Sequence, residues 1–540
     1  MISNLRSYLE ALPQEAAFKP VPIIVASVLA AVIAVVFRLS TASKLPTLNP
    51  KGTFEISDRK IKANFQKNAA RLLREWFGKN PSKPVVINGD LGPITILPRS
   101  MTNEIRNDPR LSFDEATMEV RVLLLTPRGI TNIDFQSFHS YLHGFEPYNL
   151  SDSHHLTKAI VRKDLTKQLV IGIAKVTGPL AEETSLALSD LLTDSTEWHE
   201  DNVRQTVLHL VARISARVFL GEELCRNADW LRVTKEYTVE SFKAAEELRQ
   251  WPYLLRPIVN RFLSSCLSTQ AMLREARAIM NPILKKRYAA RDAATSAGMP
   301  YAESNDAMDW FASADPERLH DAANFQLAMS LAAIHTTTDL LSETLLRIAK
   351  TPDIIPALRE EIVSVYRSDG WEKTALYKMK LLDSTIKETQ RMKPISQISM
   401  VRVVTETLTL QDGTHFRKGE RLGVTSTHFR EASIYENPEV WDPYRFVRMR
   451  DDPAKQNMAH LVSTTPEHNA FGHGQHACPG RFFAANEIKV ALLGILIKYD
   501  FELPDNVDPR VYESGMSLVS DPTVSLRFRR REAEIDLDTA

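Results

Sequence analysis

Glycine is scarce, at 19 of 540 residues, about half the usual share of roughly 7%. That shortage excludes collagenous and low-complexity chains and disfavours turn-rich β architectures. Cysteine is rarer still. Cys225, Cys266 and Cys478 are far apart and odd in number, so no disulfide framework is written here, and the bulk of the chain is expected in a reducing compartment. Excess charge is missing as well: 67 Lys plus Arg balance 67 Asp plus Glu, which removes the electrostatic footprint of a nucleic-acid partner. There is no repeat at solenoid periods and no Gly-x-Gly-x-x-Gly fingerprint of a nucleotide-binding unit. What remains is the composition of a folded chain, 44% hydrophobic and 25% charged.

Val21 to Phe37 is a 17-residue run without a charge, bounded by Lys19 and Arg38. As a helix it covers roughly 26 Å, enough to cross a thin hydrocarbon core. Because twenty residues precede it, a permanent anchor is expected in preference to a cleaved signal peptide. Basic residues follow the run (Arg38, Lys44, Lys51, Arg59, Lys60, Lys62) in excess of Arg6 and Lys19 before it, so the larger part of the chain is expected in the cytosol. Pro46 and Pro50 cannot continue an anchor helix and mark a hinge. The expected organisation is a short lumenal segment over 1–20, an anchor over 21–37, a proline-containing linker over 38–50 and one large unit over 51–540.

Within that unit apolar residues recur at three- and four-residue spacing over Thr196–Leu220, Leu267–Arg291, Arg318–Ala349, Ile355–Tyr366 and Leu381–Met392, which predicts helices. Strand-like segments are fewer: Pro84–Asn88, Ile94–Leu97, Ser399–Leu410 with its Gln411-Asp412-Gly413 turn, Arg421–Ser426 and Ser514–Arg529. Residues 295–308 read as a polar surface loop. The expected class is mainly α with a small β portion.

One segment collects unusual chemistry. Phe471-Gly472-His473-Gly474-Gln475-His476-Ala477-Cys478-Pro479-Gly480 precedes a helical run, Arg481–Ile497. Glycines let backbone approach a partner closely, and a thiolate at a helix N-terminus is electrostatically favoured. On local chemistry three readings stand level: a small buried apolar cysteine, a zinc site of His473, His476 and Cys478, or a haem thiolate.

The pattern Phe471-x-x-Gly474-x-His476-x-Cys478-x-Gly480 resembles the haem-binding loop of the cytochrome P-450 superfamily, and further landmarks occur in order over roughly residues 21–530. Glu388 and Arg391 sit three apart on one helix face and can pair; Arg445 lies in a Pro-x-Arg-Phe setting. Ala332-Ala333-Ile334-His335-Thr336-Thr337 resembles the family's oxygen-binding stretch, with Ala333 in place of the usual Gly and His335 in place of the usual acid. The resemblance implies the cytochrome P-450 fold and haem b (iron protoporphyrin IX), with Cys478 as axial iron ligand and Phe471, Gly474 and Gly480 around it. It implies propionate contacts from His476 and Arg402, and a third from Lys158, with Arg162 as rival. Glu388, Arg391 and Arg445 are implied as a structural network, and Thr336 with His335 as proton-handling residues.

Most such members from fungal secondary-metabolite pathways are monooxygenases that take dioxygen and electrons from a separate NADPH-dependent flavoprotein reductase. The resemblance therefore implies a catalytic domain on the cytosolic face of the endoplasmic reticulum membrane, oxidising a bulky apolar small molecule such as a terpenoid, indole alkaloid or polyketide. Substrate contacts are expected from Ile130–Phe145, Ala328–Ala332, Ile395–Met400 and Met516–Val519. Two rivals are a reductase-independent haem-thiolate isomerase or dehydratase, and a zinc-stabilised membrane scaffold without turnover.

Overall fold

A computed structural model describes residues 45–52, 55, 59–113, 116, 124–126, 129–131, 139, 141–148, 173–371 and 374–537. The anchor expected over 21–37, the segment over 1–20 and the candidates Lys158 and Arg162 lie outside these residues. The chain divides into two units, Met1–Thr47 and Leu48–Ala540, and the second carries everything below. Among the described residues no helix is long and apolar enough to cross a membrane.

The second unit is built on α1 (Arg59–Lys79), α2 (Ile173–Leu192), α3 (Val203–Leu220), α4 (Ala228–Arg249), α5 (Ser264–Ser296), α6 (Ala322–Lys350), α7 (Lys380–Met392) and α8 (Arg481–Lys498). Side-chain caps fix several starts. Asn202 Oδ1 accepts from Gln205 N at 2.9 Å at the head of α3, and Asp321 Oδ1 accepts from Ala323 N at 2.9 Å at the head of α6. Arg347 and Lys350 in the last turn of α6 complement its negative end.

Helix α8 is apolar around most of its circumference and runs through the core, where Ile488, Leu492, Leu493 and Leu496 are fully enclosed. Each such side chain contributes roughly 1.5–3 kcal/mol relative to an exposed one. Helix α6 packs against α3, α5, α7 and α8, so the longest predicted helix lies at the centre of the body.

The main sheet has strands β1 (Val85–Gly89), β2 (Gly92–Leu97), β3 (Leu111–Ser112), β4 (Ile398–Val404) and β5 (Arg421–Thr425), in the order β1-β2-β5-β4-β3. Only the β2–β5 pair is parallel. One face is covered by α1, whose Phe65, Ala69, Leu73 and Phe77 recur every fourth residue and pack on Val85, Ile87, Ile94 and Ile96. Leu48 N donates to Val86 O at 3.0 Å and Asn49 Nδ2 to Asn88 O at 2.8 Å, so these last residues of the expected linker are fastened to β1.

The mainly helical class with a small sheet portion agrees with the reading of the sequence. Several boundaries differ, three of them by a change of element. The helix predicted over Thr196–Leu220 begins only at Val203, because His199–Asn202 pairs with Ser525–Arg530 as a strand and Asn202 then caps the helix. Ser514–Arg529 is not one strand: Tyr512–Ser514 and Ser517–Val519 form a hairpin, and Ser525–Arg530 joins another sheet. Ser399–Leu410 likewise divides into β4 and a short hairpin of Leu408–Thr409 with His415–Phe416.

Candidate active site

The cysteine loop turns twice through left-handed glycines, Gly472 at φ 71° and Gly474 at φ 84°. At Gly474 a Cβ would also come within 2.6 Å of Asn107 Oδ1 and 2.7 Å of Arg106 O, so neither the conformation nor the space admits a side chain. The loop closes with Cys478 N donating to Phe471 O at 2.7 Å and Ala477 N to Gly474 O at 3.0 Å. Gln475 N donates to Asn107 Oδ1 at 2.8 Å. At Gly480 the backbone is ordinary and a Cβ meets no protein atom within 4 Å.

Cys478 thereby arrives at the head of α8. Burial pushes its thiol up, against hydrogen bonds from the Gly480 and Arg481 amides and the Arg481 charge, which favour the thiolate. The two amides aimed at Sγ supply the donors that a thiolate needs. Arg481 is held in turn by Val462 O at 3.1 Å and Cys478 O at 2.7 Å.

Glu388, Arg391 and Arg445 meet. Arg391 Nε and Nη2 donate to the two Glu388 oxygens, each at 2.8 Å, and Arg445 Nε donates to Glu388 Oε2 at 3.1 Å. The Asp442 amide adds a fourth donor at 3.0 Å. The remaining guanidinium donors reach carbonyls of Phe429, Pro438, Val440, Glu436 and Asn437, so three buried charges are fully hydrogen bonded.

Arg402 and His476 also come together, through a residue the sequence reading missed. The Arg402 guanidinium lies 5.4 Å from the Phe113 ring centroid, and that ring lies 6.2 Å from the imidazole of His476. Arg402 is 2% exposed. Phe113 follows a two-residue strand and carries no local signal of its role; only the pairing of β3 with β4 delivers it.

On α6, Ala332 and Thr336 are exposed one turn apart, while most of the helix is buried. Thr336 Oγ1 donates to Ala332 O at 2.8 Å, with Ala333 O at 3.3 Å. His335 is turned elsewhere: one residue along an α-helix is a rotation of about 100°. Its ring hydrogen bonds to the Lys235 backbone on α4, and burial, with the Arg204 charge adding to it, holds it below the usual histidine range and neutral. Nε2 is buried without a hydrogen-bond partner among the described residues. Glu487 of α8 accepts from Ser215 at 2.5 Å through Oε1, while its Oε2 is buried without a hydrogen-bond partner among the described residues.

The zinc alternative fails on geometry. His473 faces Arg106 and Thr464, His476 faces Gln475 and Phe113, and no group of three His, Cys, Asp or Glu among the described residues can hold a metal ion. A flat, cysteine-ligated macrocycle fits the donor set better. A soft sulfur stands at a helix head, two left-handed glycines bend the loop that carries it, and a buried guanidinium and an imidazole flank one aromatic ring.

The sequence profile described as cytochrome P-450 matches residues 132–528. The chain belongs to the cytochrome P-450 family. As a member it is a haem-thiolate monooxygenase with a cysteine-ligated haem, and it needs dioxygen and a redox partner. It is 41% identical over 503 residues to cytochrome P-450 monooxygenase TRI1 of Fusarium sporotrichioides, covering 93% of this chain and 88% of that protein. It is 42% identical to the monooxygenase hepE of Aspergillus oryzae over 91% of this chain and 86% of that one, and 39% identical to adrA of Penicillium rubens over 97% and 99%. The crystal structure of a cytochrome P-450 haem domain, a triple mutant, superposes with a TM-score of 0.63 over 90% of this chain and 98% of its own, at 17% identity, a likeness of fold alone.

Proposed function

We propose that the protein is a membrane-anchored monooxygenase of fungal secondary metabolism, oxidising a bulky apolar small molecule of the terpenoid, indole or polyketide kind. Relatives from Fusarium, Aspergillus and Penicillium support the metabolic setting. The apolar run over 21–37 supports an anchor in the endoplasmic reticulum membrane, with the catalytic unit over 51–540 on the cytosolic side and an NADPH-dependent flavoprotein reductase as electron source.

When bound, the haem supplies dioxygen activation for insertion of one oxygen atom into the substrate. Cys478 would hold the iron through its sulfur, steadied by the amides of Gly480 and Arg481, with Phe471, Gly474 and Gly480 shaping the loop around it. Arg402 and His476 would take the propionates, with Lys158 as a third contact. Thr336 presents a hydroxyl on the open face of α6 beside two alanines and hands on protons. His335 acts on proton delivery indirectly, since its ring is directed at α4. Glu388, Arg391 and Arg445 hold the meander in place rather than take part in the chemistry. Ile395–Gln397 pairs with Met516–Leu518 (Gln397 N to Met516 O 2.7 Å, Leu518 N to Ile395 O 3.0 Å), which joins two of the expected substrate-contact segments.

The observation that carries this reading is the thiol of Cys478 at the head of α8 with two amides directed at it. The test is the carbon monoxide difference spectrum of the reduced, membrane-embedded protein. A Soret band at the thiolate position, absent from Cys478→Ala, is expected; a wild type without haem pigment overturns the reading. Product formation without NADPH and reductase would point instead to a rearrangement.

A further inference from the structure

Strand β4 contains a break in parity. Ile398 and Val401 pack on the α1 face of the sheet, with Phe65, Leu73 and Val85. Met400 and Val404 lie in the opposite cluster, with Met101, Ile105 and Leu111. A regular strand alternates with period two, so Ile398, Met400, Arg402 and Val404 would all share one face.

The ladder shows where the alternation fails. Val424 pairs with Ser399 and Leu422 with Arg402, which leaves Met400 and Val401 together opposite Gly423. This is a bulge of one extra residue. Met400 carries its distortion, with φ at 54°. The left-handed region is costly for any residue with a Cβ, and methionine has no short polar side chain to offset it.

Beyond the bulge every side chain is on the face opposite to the one a regular strand would give it. Arg402 shares parity with Met400 and Val404, and on that side it meets Phe113 and, through it, His476. Without the extra residue, a strand anchored by Ile398 as observed would drive the guanidinium into the apolar layer between the sheet and α1.

We infer that Met400 is a positioning residue whose left-handed backbone turns Arg402 to the haem side of the sheet. This rests on the reading of Arg402 as a propionate ligand and adds to it the reason the arginine is available. It also removes Met400 from the expected substrate contacts, since its side chain is 5% exposed and packed in the sheet cluster.

The inference separates backbone conformation from side-chain packing. Met400→Gly adopts the left-handed conformation freely and loses the buried side chain, whereas Met400→Val keeps most of the apolar volume and resists that conformation. Two measurements on the holoenzyme distinguish them: the rate of haem transfer to an excess of apomyoglobin, and the melting temperature. Met400→Gly is expected to melt lower yet release haem within about twofold of the wild-type rate, while Met400→Val releases haem about tenfold faster. In an Arg402→Ala background the Met400→Val effect on haem release is expected to vanish.

Haem release that follows melting temperature, faster in Met400→Gly than in Met400→Val, overturns the inference and leaves Met400 as a core residue. Wild-type haem retention in Arg402→Ala alone marks the failure of the propionate reading and takes the inference with it. If Met400→Val does not accumulate, Met400→Asn serves instead, since asparagine tolerates the left-handed region. Wild-type haem release despite a polar group in the cluster supports the inference, and accelerated release overturns it.

Discussion

The polar network around α7 and the polar groups along α6 are built on opposite terms. Under the cysteine loop, Glu388 accepts four hydrogen bonds and both arginines spend their remaining donors on carbonyls. Lys387 beside them places its ammonium on Met458 O and His460 O, each at 2.7 Å, and Asp383 is held by Lys489 and Arg450, each at 2.6 Å. Along α6, by contrast, Gln326 Oε1, His335 Nε2, Thr338 Oγ1 and Ser342 Oγ are buried without hydrogen-bond partners among the described residues. A fully satisfied network fixes one geometry, because any departure strands a charge. An under-satisfied helix keeps groups that a water or a small polar ligand can engage. The Glu388–Arg391–Arg445 network is over-determined, and these groups of α6 are not.

The largest expected effect tests the rigid side. Glu388→Gln removes the only carboxylate facing two buried guanidiniums in the network and is expected to cost about 3–5 kcal/mol, read as a fall in melting temperature and in the yield of haem-loaded protein. A variant that melts like the wild type would break the comparison.

Glu487 sharpens it from the α6 side. Burial raises its carboxyl to about 8, against the Ser215 hydrogen bond and the nearby Thr337 hydroxyl, which favour the carboxylate. The folded state therefore keeps a proton that the unfolded state releases near the ordinary value of 4.5. Stability from this group is full below that value and is lost as pH rises toward 8. Glu487→Gln escapes this loss, so its stability relative to wild type is expected to grow between pH 5 and 8, by up to about 4 kcal/mol in denaturant titrations. A constant difference across that range would place the carboxylate in its charged form.

Thr336→Ala should disturb the fold least. Its hydroxyl is exposed and bonded only to its own helix, so stability is expected to stay within about 0.5 kcal/mol of wild type. Product formed per NADPH consumed is expected to fall by at least about tenfold once a substrate is in hand. Melting that drops with coupling would give the hydroxyl a structural role instead.

Much of this was legible in the residues. Glu388 and Arg391 are separated by three positions on one helix, and their pairing needs no distant information. The start of α6 was read as Arg318 rather than Ala322, because the capping role of Asp321 is written in one side chain rather than in periodicity. The Arg106 and Asn107 contacts to the cysteine loop were not legible, since they join residues 367 or 368 apart that share no pattern. His335 was readable as a departure from the family's usual acid, but the direction of its ring was not.

The sequence alone determined what depends on neighbours within a turn or two: the spacing that pairs Glu388 with Arg391, the glycines that bend the cysteine loop, and the helix that receives Cys478. Such features follow from dihedral preferences and local hydrogen bonds, which travel with the residues. Only the tertiary structure decided which face of β4 carries Arg402, which ring stands between it and His476, and which polar groups of α6 are left unanswered. Those outcomes depend on register and on partners hundreds of residues away, and a shift of one residue in a strand reverses every side chain beyond it.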